Sequence, residues 1–276
     1  MKIKIAKTAG FCFGVRRAID LAYKTVKGKK LVYTLGPLIH NPQEVKRLSQ
    51  KGIKPVGSLG KLKKVTLILR THGIPSTLRK KLEQKELVLV DAACPFVKRA
   101  QEIVKKQAES ARQIIIVGEK THPEVVALVS YGKGKCVVVD NKADLKKIKP
   151  EGAVSVLSQT TQTPENYKSI VAGLKKRGVK VSSFDTICRA TIDRQSEASR
   201  LAKKVDLMIV IGGKNSGNTR RLYQICQKFT RAYHIETAGQ LQLNWLKKVK
   251  TVGITAGAST PDWIVKDVMN KIRIIN

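Results

Sequence analysis

Three cysteines carry the strongest chemical signal in this chain. Cys12 follows Ile3-Lys4-Ile5 and Gly10-Phe11, and a helical stretch over 14–26 comes next. Cys94 ends Leu87-Val88-Leu89-Val90-Asp91-Ala92-Ala93, and Pro95 opens a helix to about residue 110. Cys188 ends Val181-Ser182-Ser183-Phe184-Asp185-Thr186-Ile187, with a helix to about residue 205. Each thiol thus falls where a strand ends and a helix begins, and a helix N-terminus favours the thiolate. Pro95 suits a first turn, where its missing N–H costs nothing. Three thiolates are one short of a closed structural zinc site. They suit an iron–sulfur cluster with three irons held by cysteine and one left open as a Lewis acid for a substrate oxygen. Cys136 and Cys226 have no counterparts and read as buried core thiols.

The polar loops add donors. His40, His72, His122, Ser216, Asn218 and Ser259 lie near expected helix N-termini, a pattern suited to phosphate. In Gly212-Gly213-Lys214-Asn215-Ser216-Gly217-Asn218-Thr219 the lysine position of a P-loop holds Asn218, which argues against a nucleoside triphosphate. Glu124 stands two residues after His122. A carboxyl beside an anionic cluster and a diphosphate has its pKa raised and becomes a proton donor. Thr160 is placed to meet a substrate hydroxyl, and so are its neighbours Gln159 and Thr161. His234 lies away from these loops and reads as an ordinary satisfied or surface residue.

These residues sit on a threefold repeat. His40, His122 and Ser216 each lie 28 residues beyond a cysteine, and each follows an aliphatic run and a glycine. A third element recurs: 65–69 then Thr71-His72-Gly73, 154–157 then Gln159-Thr160-Thr161, and 252–255 then Ala256-Gly257-Ala258-Ser259. Pro75, Pro164 or Pro261 and a further helix follow each. Strands alternating with helices predict an α/β chain with a parallel sheet in every unit, buried on both faces. The expected domains are 13–94, 95–185, and 186–276 with 1–12. Ligands of open α/β sheets bind beyond the strand C-termini. Three similar small domains with those ends inward would bring the cysteines and polar loops to one centre.

The 276 residues, 42% of them hydrophobic, suffice for sizeable cores and contain no long apolar run. Met1 to Lys7 alternates charged and aliphatic residues and reads as a first strand rather than a signal peptide, so a cytoplasmic location is expected. With 54 basic and 20 acidic residues the formal charge is +34. That field favours anionic ligands and acidic partners. The basic runs at 27–30, 61–64, Lys80-Lys81, Lys105-Lys106, Lys146-Lys147 and Lys247-Lys248 are spread along the chain. Aromatics make up only 5% and do not interleave with them, so no base-stacking platform forms and nucleic acid is disfavoured. A non-redox iron–sulfur dehydratase would use the same open iron and needs no electron donor.

Seven motifs in order carry a family resemblance. They are Gly10-Phe11-Cys12-Phe13-Gly14-Val15, Thr71-His72-Gly73, Asp91-Ala92-Ala93-Cys94-Pro95, Thr121-His122-Pro123-Glu124, Gln159-Thr160-Thr161, Lys214-Asn215-Ser216-Gly217-Asn218 and Thr255-Ala256-Gly257-Ala258-Ser259. The chain resembles the 4-hydroxy-3-methylbut-2-enyl diphosphate reductases (IspH/LytB) over nearly its whole length. The resemblance implies a pseudo-threefold trefoil of α/β domains around one 4Fe–4S cluster with an open iron, ligated by Cys12, Cys94 and Cys188. It implies diphosphate binding by His40, His72, His122, Ser216, Asn218 and Ser259. It implies that Glu124 delivers a proton, that Thr160 orients the substrate hydroxyl, and that an acidic ferredoxin or flavodoxin supplies electrons. The reaction it implies is reductive dehydroxylation to isopentenyl and dimethylallyl diphosphates, the last step of the methylerythritol phosphate pathway. Gly217 departs from the pattern, since some members have a second serine there. The high positive charge is not a family requirement.

Overall fold

The computed structural model describes residues 1–28, 31–58, 60, 63–110, 112–150 and 152–275. Lys29, Lys30 and Lys61 of the basic runs lie outside the described residues. The chain opens with β1 (Lys2–Ile5), α1 (Phe13–Val26), β2 (Val32–Leu35), α2 (Pro42–Gln50), β3 (Ile53–Val56), β4 (Thr66–Leu69), α3 (Ser76–Glu83) and β5 (Val88–Asp91). It continues with α4 (Pro95–Glu109), β6 (Gln113–Val117), α5 (Pro123–Tyr131), β7 (Cys136–Val139), β8 (Val154–Ser158), α6 (Pro164–Lys176) and β9 (Val181–Ser183). It ends with α7 (Arg189–Ala202), β10 (Leu207–Ile211), α8 (Gly217–Gln227), β11 (Arg231–Ile235), β12 (Thr251–Ala256) and α9 (Asp262–Ile275). Proline opens α2, α4, α5 and α6, where the first N–H has no helical acceptor. Proline also forces the preceding residue out of helical geometry. Cys94 (φ −63°, ψ 134°) and His122 (φ −67°, ψ 134°) are accordingly extended.

The strands form three four-stranded sheets, ordered β3-β2-β4-β5, β7-β6-β8-β9 and β1-β12-β10-β11. Every pairing is parallel. The order is the same each time, with one edge strand leading to a cysteine: β5 to Cys94, β9 to Cys188, β1 to Cys12. In the last sheet that edge strand comes from the N-terminus, where Ile3 pairs with Val252.

The chain divides into two compact units. One comprises residues 1–16, 39–50 and 189–276; the other comprises 17–38 and 51–188. In the first, β10 is buried on both faces. Leu207, Ile209 and Ile211 join Val252, Ile254, Ile264, Val268 and Ile272 in one core. The alternate residues Met208 and Val210 face Ala198, Ala202 and Leu222 in another. That is the period-2 geometry of a strand with both faces covered. In the second unit, Ile114, Ile116 and Leu157 pack under Ala100, Val104 and Ala108 of α4 and Val125 and Leu128 of α5. A separate core gathers Leu67, Leu69, Ile74 and Leu82.

Candidate active site

Equivalent hydrogen bonds tie the three cysteines to their sheets. The Cys12 N–H donates to Ala258 O at 3.0 Å, the Cys94 N–H to Thr71 O at 3.0 Å, and the Cys188 N–H to Thr160 O at 2.9 Å. Each acceptor lies in the loop after the central strand beside the cysteine's own strand. That loop is itself a turn: Gly73, Gln162 and Thr260 donate to Arg70, Gln159 and Gly257 at 3.0, 3.0 and 2.9 Å. None of the three cysteines is in a disulfide, and all are partly exposed. Burial pushes the Cys136 thiol up to about 11 and the Cys226 thiol up to about 12, favouring the protonated form of both.

Further groups brace the cysteine loops. The Ala93 N–H donates to Asp91 Oδ1 at 3.0 Å and the Ile187 N–H to Asp185 Oδ1 at 3.2 Å, an Asx turn just before two of the three cysteines. Lys98 Nζ lies 2.7 Å and Arg79 Nη1 3.2 Å from Asp91 Oδ2. Burial opposes the Asp91 charge, but the hydrogen bonds from Lys98 and the Ala93 N–H hold the carboxyl below its usual range. Before Cys12 no aspartate stands three residues upstream. The buried Arg194 takes over, donating from Nη2 to Gly10 O at 2.6 Å and from Nε to Ala256 O at 3.2 Å. The repeated Asp-x-x-Cys was a visible signal for the aspartates; nothing local marks Arg194, which acts across 184 residues.

In the second unit, the residues expected to handle the proton meet closely. Glu124 is 1% exposed. Its Oε1 accepts from the Thr160 N–H at 2.6 Å and its Oε2 from Thr160 Oγ1 at 2.8 Å. The sequence left Gln159 and Thr161 as alternatives. The Gln159 side chain instead accepts from the Glu119 N–H at 3.2 Å and donates to Thr161 at 2.9 Å. His122 caps α5, with Nδ1 accepting from the Glu124 N–H at 3.2 Å. In the neutral ring the proton is therefore on Nε2, which faces away from the helix backbone. The His72 ring meets the His122 ring edge-on, 5.5 Å between centroids at 84°.

In the first unit, Ser216 Oγ accepts from the Thr219 N–H at 3.3 Å and caps α8. Asn218 is 3% exposed, and among the described residues neither polar atom of its amide has a hydrogen-bond partner. Ser259 Oγ donates to the His40 carbonyl at 3.0 Å. The same carbonyl lies 2.6 Å from where a Cβ on Gly213 would stand, so only glycine allows that approach. Gly217 opens α8, so its N–H belongs to the first turn, whose donors lack helical acceptors. His234 Nε2 donates to Gly212 O at 2.8 Å and braces the same loop.

The 28-residue spacing hides a shift of one residue. The glycines 24 residues beyond each cysteine are equivalent: Gly36, Gly118 and Gly212 donate to Val56, Val139 and Ile235 at 2.8, 2.9 and 2.9 Å. The capping residues that follow are Asn41, His122 and Ser216. The first loop is one residue longer, so His40 precedes the cap. Among the described residues no helix is long and apolar enough to cross a membrane.

The sequence profile of the LytB protein family matches residues 3–273. The 4-hydroxy-3-methylbut-2-enyl diphosphate reductase of Trichlorobacter lovleyi is 47% identical, the match covering 100% of this chain and 99% of that protein. The one from Geobacter sulfurreducens is 43% identical over 99% of this chain and 97% of that protein. A solved structure of (E)-4-hydroxy-3-methyl-but-2-enyl diphosphate reductase, described as the terminal enzyme of the non-mevalonate pathway, is 45% identical. It covers 99% of this chain and 100% of that one at a TM-score of 0.73. The E-1-hydroxy-2-methyl-but-2-enyl-4-diphosphate reductase of Plasmodium falciparum is 28% identical, covering 98% and 87%, at a TM-score of 0.92.

Proposed function

The chain belongs to the LytB protein family of 4-hydroxy-3-methylbut-2-enyl diphosphate reductases, and on that premise we propose how its own residues remove the substrate's allylic hydroxyl. Cys12, Cys94 and Cys188 would hold one 4Fe–4S cluster with one iron left open to substrate. The observation that carries this is the threefold Cys N–H bond to the neighbouring loop, which holds the three cysteines in one repeated setting. When bound, the cluster supplies the electrons and the Lewis acidity of its open iron.

His40, His72, His122, Ser216, Asn218 and Ser259 bind the diphosphate. The unpartnered amide of Asn218 supports this, because a buried amide without partners is costly until a ligand satisfies it. Clamping the diphosphate fixes the allylic chain and turns the reaction into an oriented, intramolecular one. Thr160 Oγ1 orients the substrate hydroxyl. Glu124 is the proton source, and its contact with Thr160 supports a relay: once Glu124 is protonated on Oε2 the bond reverses, and the Glu124 proton passes to Thr160 Oγ1 as the Thr160 proton goes to the departing oxygen. Overall two electrons and two protons enter, the C–O bond breaks, water leaves, and protonation at either allylic carbon gives isopentenyl or dimethylallyl diphosphate.

The electron donor is an acidic protein, a ferredoxin or flavodoxin, attracted by the basic surface. Cysteines outside disulfides and a cluster with an open iron suit a reducing compartment, which supports a cytoplasmic location. The working domains are 13–94, 95–185, and 186–276 with 1–12, each range holding one sheet. Iron and acid-labile sulfide per chain, measured after anaerobic reconstitution, test the ligand set. Wild type should hold four of each, and Cys12→Ser, Cys94→Ser and Cys188→Ser should each lose most of the cluster. Full retention in any of the three would remove that cysteine from the ligand set.

A further inference from the structure

The bond that opens α2 leaves half of an amide unused. Asn41 Oδ1 accepts from the Glu44 N–H at 2.9 Å and caps the helix. With Oδ1 committed, the planar amide has one orientation, and Nδ2 is turned away from the first turn of α2. Asn41 is 1% exposed, and among the described residues the buried Nδ2 has no hydrogen-bond partner. Serine or aspartate would cap the helix as well without burying an idle NH2. That NH2 is a liability unless something accepts from it.

Its setting says what would. The His40-Asn41 segment abuts both loops that carry the other diphosphate candidates of this unit, through Ser259 on the His40 carbonyl and the close Gly213 backbone. Asn41 also holds the capping position that His122 and Ser216 hold in the other two repeats. Phosphate oxygens only accept, and an NH2 at a helix N-terminus only donates.

We propose that Asn41 is a further diphosphate-binding residue, donating from Nδ2 to a phosphate oxygen at the N-terminus of α2. The proposal rests on the diphosphate reading of this site. Asn41→Ser keeps a cap and removes the donor. Asn41→Asp keeps a cap and puts a negative charge in its place. The test is anaerobic calorimetry of the cluster-loaded protein with inorganic pyrophosphate, with Asn218→Ala as the reference variant. Thermal stability and iron content should stay at wild-type level in both Asn41 variants. The pyrophosphate Kd should rise about tenfold in Asn41→Ser, the usual loss for one bond to a charged group, and further in Asn41→Asp. Substrate KM should rise more than kcat falls. Wild-type pyrophosphate affinity in both Asn41 variants, with binding lost in Asn218→Ala, would overturn the Asn41 role and leave the diphosphate site standing. Unchanged affinity in all three variants would overturn both.

Discussion

Glu124 and Thr160 form the most constrained pair in the protein. Two short bonds from one residue hold a carboxyl that is almost fully buried. Glutamine in place of the carboxyl keeps the shape and removes the acidic proton. Glu124→Gln should therefore fold, retain its cluster and lose about 10²–10⁴ in kcat, the range for removing a positioned general acid. Near-normal turnover would exclude Glu124 as the proton source. Thr160→Val keeps the backbone N–H bond to Glu124 and removes only the hydroxyl. It should lower kcat while Thr160→Ser keeps most of it; wild-type kcat in Thr160→Val would exclude a role for the hydroxyl. At this scale the sequence was highly legible for residues that repeat, such as the cysteines. It was less so for residues chosen by contact. Gln159, Thr160 and Thr161 are adjacent polar side chains, and only the fold decides which one faces Glu124. Asn41 was overshadowed by His40 because the 28-residue spacing falls on His40, while the helix cap falls one residue later.

Among the elements, the cysteine loops are where local conformation and ligand geometry meet. Gly10, two residues before Cys12, has φ +109°, and a Cβ there would lie 2.5 Å from Asp262 Oδ1. Gly10→Ala should cost about 1–3 kcal/mol for the left-handed backbone alone. It should also reduce the iron bound per chain. Unchanged iron and denaturation midpoint would mean that this loop tolerates another backbone. The Asp91 carboxyl makes a pH-dependent brace for the Cys94 loop. Its folded pKa lies below the unfolded value of about 3.9, so its stabilisation is present above that pH and is lost as pH falls through the folded value. Asp91→Asn retains an oxygen for the Ala93 N–H but loses the Lys98 and Arg79 pairs. The Tm gap between wild type and Asp91→Asn should be open at pH 7 and close below about pH 4; a gap independent of pH would assign the effect to packing. The strand–cysteine–helix order was readable because aliphatic runs, glycines and prolines mark its joints. The Arg194 brace was not, because its partners lie at opposite ends of the chain.

For the whole molecule, parallel sheets followed from the alternation of apolar runs and helices, and the supply of β1 by the N-terminus to the last sheet followed from the repeat. The sequence does not explain the +34 charge by any structural need. Its physical consequence is attraction of anions over the Debye length. Turnover with an acidic ferredoxin should fall several-fold between about 0.05 and 0.3 M salt, while turnover with a small viologen dye changes little. A salt response shared by both would locate the effect in substrate binding rather than in donor encounter. The central claim is that this chain reduces 4-hydroxy-3-methylbut-2-enyl diphosphate at a cluster held by three cysteines. Its most direct test is anaerobic oxidation of reduced viologen on adding that substrate to cluster-loaded protein. The account predicts steady oxidation that is lost in Cys12→Ser, Cys94→Ser and Cys188→Ser. A fully loaded protein that consumes the substrate without oxidising the dye would contradict it and identify a non-redox dehydratase.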